Sequence, residues 1–268
     1  MSEKRPALVL IIGLAFAFFP VSCSRGSAHN EIIVAGSTSV QPFADRWAEA
    51  FIKSRPGFFV NVQGGGSSAG IQAAKSGAAD IGTSSRELKA DEKDLKEIVV
   101  ARDGLAIIVH PANPLRGLRL AEVKQIFTGE IPNWMFLKGP DKAITVVTRE
   151  EGSGTRGAFQ ELVMGKSRIF RGAIVQDSNG TVREIVAGDP NAVGYISLGL
   201  VNDRIRALIL DGVEPSEATI LDGRYKLVRP FLFVSKGELQ GMAGDFVRFV
   251  LSREGQDLIR KEGLLAAR

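Results

Sequence analysis

The sequence predicts an α/β protein built as two lobes with a cleft between them. Three observations carry that expectation. Apolar runs of strand length alternate with runs of helical periodicity, which predicts mostly parallel sheets covered by helices. The alternation restarts in the second half of the chain, and 268 residues, 44% of them hydrophobic, suffice for two cores. Four turns that leave predicted strands share one hydroxyl-rich chemistry, and open α/β sheets bind ligands beyond the carboxyl ends of their strands.

In chain order, "EIIVAGSTSV" reads as a strand running into a Gly-Ser turn. "QPFADRWAEAFIKSR" follows as a helix with Phe43, Trp47 and Phe51 spaced four apart on one face. "FFVNVQ" is a second strand, "GGGSSAGIQAAKSG" a glycine turn opening a small-residue helix, and "ADIGTSS" a third strand. "DEKDLKEI" reads as a charged surface helix and "LAIIVHP" as a buried strand. The second half offers "LAEVKQIFTG" (helix), "AITVVTR" (strand), "GTRGAFQELVM" (helix), then "AVGYISLG", "IRALIL" and "RPFLFVSKG" (strands). A last helix spans "ELQGMAGDFVRFVLSREGQDLIRKEG", with Leu239, Met242, Phe246, Phe249 and Val250 on one face.

The formal net charge is +4, with basic and acidic residues interleaved. A nucleic-acid binder concentrates its basic residues in a stripe, and none is present, so no nucleic-acid partner is expected. The N-terminal "MSEKRP" is a short basic leader. "ALVLIIGLAFAFF" after it is too short to span a bilayer comfortably, which makes residues 1–22 an export signal. Two readings of "PVSCS" stand: an ordinary secretory signal, or one that resembles a bacterial lipoprotein signal, cleaved before Cys23 and lipidated there. The second implies a tether over 23–31 and a periplasmic protein held to a membrane by lipid. Cys23 is the only cysteine, so no internal disulfide forms.

The four corners are "GSTS" (Gly36 to Ser39), "GGGSSAG" (Gly64 to Gly70), "ADIGTSSR" (Ala79 to Arg86) and "TREEGSGTRGAF" (Thr148 to Phe159). A helix start carries unpaired N–H groups and a partial positive charge, and glycine lets backbone approach a ligand closely. Converging corners of this kind make an anion site from neutral dipoles and one or two Arg. Each corner alone also reads as an ordinary N-cap. Capping needs one hydroxyl, however, and these turns offer two or three. Arg156 at a predicted helix start opposes the helix dipole unless an anion compensates it. Asp80 reads either as a turn acceptor or as the acceptor of a proton carried by a protonated oxyanion, which would exclude fully ionised sulfate. Glu151 reads as a partner that fixes an Arg, or as an exposed acid.

Rival chemistries are weaker. Neither glycine loop has the Lys of a nucleotide phosphate loop, and no dinucleotide fingerprint follows the first strand. His29 lies in the tether and His110 closes an apolar strand, so no metal site and no cofactor is expected. "GSSAG" matches a nucleophile elbow at Ser68, with Asp80 or Asp103 and then His110 in the order of a serine hydrolase. That alternative leaves the other three corners unexplained.

At "GSTSVQPFADRWAEAF", "GGGSSAGIQAAKSGAADIGTSSR", "LAEVKQIFTGEIPNW", "ITVVTREEGSGTRGAF", "AVGYISLG" and "VRFVLSREGQDLIRKEG" the chain resembles bacterial phosphate-binding proteins, the extracytoplasmic receptors of phosphate ABC transporters. The resemblance runs from about Ile32 to Gly263. It implies the two-lobed periplasmic-binding-protein fold of type II, each lobe a mixed sheet flanked by helices. Chain crossings are expected near His110 and Arg229, with lobe one at 32–109 plus 229–268 and lobe two at 110–228. It implies phosphate contacts from Ser37, Thr38 and Ser39, from Ser67 and Ser68, from Asp80 as proton acceptor, from Ser85, and from Arg149, Glu151, Ser153, Gly154, Thr155 and Arg156. The function implied is binding of inorganic phosphate by hinge closure and delivery to an ABC transporter permease. It implies a monomer and no catalysis. A phosphate-sensing or adhesive surface lipoprotein is the alternative within the same resemblance.

Overall fold

The computed structural model describes residues 30–267. The expected signal segment, Cys23 and His29 lie outside them.

The first lobe opens with β1 (Glu31–Gly36), α1 (Gln41–Lys53), β2 (Phe59–Gln63), α2 (Ser67–Ser76) and β3 (Ile81–Ser84). β4 (Lys96–Val109) then runs across into the second lobe. That lobe holds β5 (Gly117–Leu118), α3 (Leu120–Thr128), β6 (Thr145–Arg149), α4 (Gly154–Phe159), β7 (Ile174–Gln176), α5 (Asn179–Gly188), β8 (Ala192–Ser197), β9 (Arg206–Ala207), β10 (Ile209–Leu210) and α6 (Glu217–Leu221). The return is β11 (Val228–Ser235), followed by α7 (Gly241–Leu251), α8 (Arg253–Arg260) and β12 (Leu265–Ala266).

The path β2-β1-β3-β11-β4-β8-β6-β7 forms one continuous sheet, because β4 belongs to both lobes. Its first half pairs with β11 from Lys96 to Gly104, and its second half pairs with β8 from Leu105 to Val109. The first crossing therefore falls inside β4 at Gly104–Leu105, earlier than the expected position near His110. One long strand bridges the lobes where a charged helix and one shorter strand were anticipated. β1 runs parallel to β2 and β3, and β6 parallel to β7 and β8. β11 is antiparallel to β3 and β4, since it carries the chain back in the opposite direction.

Each lobe has its own aromatic core. In lobe one, Phe43, Trp47 and Phe51 of α1 are buried against Phe231 and Phe233 of β11 and Phe246 of α7. In lobe two, the Phe159 and Tyr195 rings stack at 4.1 Å with Phe127 beside them. Fully burying one such side chain contributes about 1.5–3 kcal/mol, which is why both α1 and β8 are held firmly behind the turns that follow or precede them.

Two expected helices differ. "DEKDLKEI" is only a single turn of 3-10 helix at Ala90–Glu92, and Lys96 onward joins β4. Its charged face lacks the apolar stripe that would hold a helix, while Val100 beyond it is buried in the sheet. The long C-terminal helix is two. Ser252 ends α7 and caps α8, its Oγ accepting from Gly255 N at 3.2 Å.

Candidate functional site

The turns after β1, β3, β6 and β7 and the start of α2 all lie at the carboxyl ends of parallel strands, and they meet where the lobes face each other. From lobe one come Ser37, Thr38 and Ser39, then Ser67 and Ser68, then Ser85. From lobe two come Arg149, Ser153, Gly154 and Thr155.

Lobe one's hydroxyls are locked together first. Ser37 N–H donates to Thr83 Oγ1 at 2.8 Å, and Ser37 Oγ donates to Ser85 Oγ at 2.9 Å. Ser67 Oγ accepts from Ser85 N at 3.1 Å. Gly66 precedes α2 with φ +90°, a conformation that glycine alone adopts without strain, and this aims the first turn of α2 at lobe two.

The lobes then bond directly. Ser39 Oγ and Thr155 Oγ1 are 2.7 Å apart. Ser68 N–H donates to Gly152 O at 3.1 Å. Arg149 Nη2 donates to Thr38 Oγ1 at 3.2 Å. Asn179, the first residue of α5, donates from Nδ2 to Ser39 Oγ at 2.8 Å while its Oδ1 accepts from Ser197 N. A Cβ on Gly154 would stand 2.6 Å from Ser85 Oγ, so this close approach requires glycine.

Arg149 is 1% exposed. Nε and Nη2 fork onto the two oxygens of Glu150, each at 3.0 Å, and Nη2 also donates to Asp177 O. Nη1 is buried with no protein acceptor. A buried donor left without a partner costs about 1–3 kcal/mol, more when charged. A second guanidinium, Arg229 of β11, donates from Nη2 to Ser39 Oγ at 3.2 Å and forks onto Asp103 Oδ2 at 2.8 and 2.9 Å. Burial holds Arg229 below the usual arginine range, and the nearby Arg149 cation pushes the same way. Each cation is thus paired with a carboxylate, and the donor left without an acceptor beside the hydroxyls is Arg149 Nη1.

Not every expected residue reaches the crevice. Asp80 is exposed just before β3, at the entry end of the strand, and its Oδ2 accepts from Ile33 N at 2.8 Å. Thr83 to Ser85 follow it to the crevice end, so Asp80 is a turn acceptor at the opposite edge of the sheet. The carboxylates tied to the crevice are Glu150, held by Arg149, and Asp103, held by Arg229. Glu151 points outward, its side chain 93% exposed, 3.8 Å from Arg156. Arg156 turns back to donate from Nη1 to Arg149 O at 2.6 Å, and Ser153 Oγ caps α4 by accepting from Arg156 N. Ser68 Oγ accepts from Arg86 Nη2 at 3.4 Å, and His110 Nδ1 accepts from Ala112 N in the turn after β4, so the ordered Ser-Asp-His reading gathers no triad.

Asn179 and Glu150 were not anticipated, and Asp103 and Arg229, named only as a possible triad acid and a chain crossing, were not anticipated beside the crevice. Asn179 had a signal, because "DSNG" is a fifth polar strand-to-helix corner. Asp103 and Arg229 had another, as charges set inside otherwise apolar strands.

A family model described as a PBP superfamily domain matches residues 24–254. A phosphate-binding protein PstS of Bacillus subtilis is 35% identical, over 96% of this chain and 92% of its own length. A protein of Clostridium perfringens, solved with bound phosphate and described as a phosphate ABC transporter substrate-binding protein, superposes with a TM-score of 0.86 at 43% identity, over 89% of this chain and all of that one. An ABC-type phosphate transport receptor of Vibrio cholerae superposes with a TM-score of 0.74 at 37% identity, over 87% of this chain and 99% of that one.

Proposed function

We propose, from the premise that this chain belongs to the PstS family of phosphate-binding proteins within the PBP superfamily, that it binds inorganic phosphate between its lobes and hands it to an ABC transporter permease. The observation that carries this reading is Arg149 Nη1, a buried cationic donor without a protein acceptor, set among Thr38, Ser39 and Thr155. A tetrahedral oxyanion supplies the acceptors these groups need, and it draws contacts from both lobes at once. It therefore favours the closed arrangement by its differential contacts there.

Lobe one contributes Thr38, Ser67 and Ser68, with Ser37, Ser39 and Ser85 holding the turns in place. Lobe two contributes Arg149, Ser153, Gly154 and Thr155. Hydrogen bonds to charged groups contribute roughly 1.5–3 kcal/mol each before desolvation and closure costs. A handful of them reaches micromolar affinity, about −8 kcal/mol. Selectivity for a protonated oxyanion rests with Glu150 rather than Asp80. An ionised carboxylate only accepts hydrogen bonds, so it takes the proton of hydrogen phosphate and repels sulfate.

The role is binding and delivery without catalysis, by a monomer outside the cytoplasm. Lipidation at Cys23 is the proposed anchor. Calorimetric titration with phosphate, arsenate, sulfate and molybdate tests the reading: phosphate saturates one site at micromolar concentration or below, and tighter binding of sulfate or molybdate overturns it. Mass spectrometry of the mature N-terminus tests the anchor, and an unmodified start downstream of Cys23 rejects it.

A further inference from the structure

The Asp103–Arg229 ion pair lies at the lobe crossing, outside the set of phosphate contacts. The two residues face each other in the register of β4 and β11. Their side chains are 0% and 2% exposed. Ser197 Oγ donates to Asp103 Oδ1 at 2.8 Å, Arg229 takes Oδ2, and Arg229 Nη1 donates to Ser85 O. Every Arg229 nitrogen thus has a protein acceptor, and the one that faces the Ser39–Thr155 pair, Nη2, donates to Ser39.

Guanidinium nitrogens donate only, and Asn179 Nδ2 is fixed as a donor because its Oδ1 accepts from Ser197 N. Ser39 Oγ therefore accepts twice, from Arg229 Nη2 and from Asn179 Nδ2. Both lone pairs are used, and the single Ser39 proton has one place to go, Thr155 Oγ1 at 2.7 Å. Thr155 must then accept, which leaves its own proton free for an anion. Without the donor at 229, the Ser39–Thr155 bond can reverse, and Thr155 spends its proton on Ser39.

We propose that Asp103 and Arg229 are positioning residues that set the direction of the Ser39–Thr155 hydrogen bond, so that Thr155 on the opposite lobe presents its hydroxyl proton to bound phosphate. This rests on the phosphate reading above. It joins the hinge strands to a donor across the crevice through one defined chain of hydrogen bonds, Asp103 to Arg229 to Ser39 to Thr155.

A double-mutant cycle on the full chain tests it, read by calorimetry with inorganic phosphate. Removing Arg229 alone strands a buried carboxylate, so the pair is replaced together as Asp103→Leu with Arg229→Met. Arg229→Lys serves as a second variant, because it keeps the charge on Asp103 while one ammonium replaces the fork that also reaches Ser39. Thr155→Val removes the hydroxyl with little change of shape. Each of the three is expected to weaken phosphate binding about tenfold. Combined with Thr155→Val, the 103/229 variants are expected to add little further loss, because they act through the same proton. Thermal melting verifies the fold of each variant. Unchanged affinity in folded 103/229 variants overturns the proposal, as does a full hundredfold additive loss. Absence of phosphate binding by the unaltered chain overturns the functional reading and this inference with it.

Discussion

Ser39 and Thr155 stand 116 residues apart in the chain, yet their hydroxyl oxygens lie 2.7 Å apart across the lobe boundary. This contact depends on Gly154 beside it, where a methyl group would collide with Ser85 Oγ. Gly154→Ala is expected to hold the lobes apart. Phosphate affinity should fall at least tenfold and the radius of gyration in phosphate should rise, measured by calorimetry and small-angle scattering, while the melting temperature stays nearly unchanged.

Asp80 supports the entry edge of the sheet through one hydrogen bond to Ile33 N. Asp80→Asn should therefore leave the ratio of phosphate to sulfate affinity intact and cost about 1 kcal/mol of stability or less. Competition titrations check the first outcome, urea unfolding the second. A loss of selectivity would return Asp80 to the binding reaction.

Glu150 is the carboxylate forked by Arg149, with each oxygen keeping one further acceptor position. Glu150→Gln replaces an acceptor oxygen with a donor. Selectivity for phosphate over sulfate should fall by about tenfold or more in paired titrations, since sulfate no longer meets a bare carboxylate.

These outcomes trace how legible the site was. Clustered hydroxyls and glycines are local signals, and the turns at Ser37–Ser39, Ser67–Ser68 and Ser153–Thr155 sit where strand-helix alternation places them. Asp80 was misread because its motif was taken as one unit. It precedes Ile81, the first residue of β3, while the hydroxyls follow the strand, so the two ends of "ADIGTSS" lie on opposite edges of the sheet. Arg229 and Asp103 were unreadable for a different reason. Their partnership spans 126 residues, and it exists only once β4 and β11 pair in register. The break between α7 and α8 turns on Ser252 as a cap, just past Val250, the last residue of the apolar stripe.

At the rim of the crevice, where Arg86 Nη2 also reaches Ser68 Oγ, Arg86 forks onto Glu92 at 2.7 and 2.8 Å in a buried pair. The hydrogen bond from Arg86 holds the Glu92 carboxyl below the ordinary range, against the opposing effect of burial. A carboxyl lowered in the folded state adds stability above its unfolded pKa, about 4.3, and that stability is lost as pH falls through the folded value. Glu92→Gln should lower the melting temperature at pH 7, and the difference between the two proteins should shrink as pH falls below the ordinary carboxylate range.

The most direct measurement of the central claim compares the full chain with its Arg149→Ala variant in phosphate titrations at neutral pH. Removing a buried charged partner commonly costs 2 kcal/mol or more. The unaltered chain should bind one phosphate at micromolar concentration or tighter, and the variant should bind more than tenfold more weakly with its fold intact. Equal affinities, or no saturable heat from the unaltered chain at millimolar phosphate, would contradict the account.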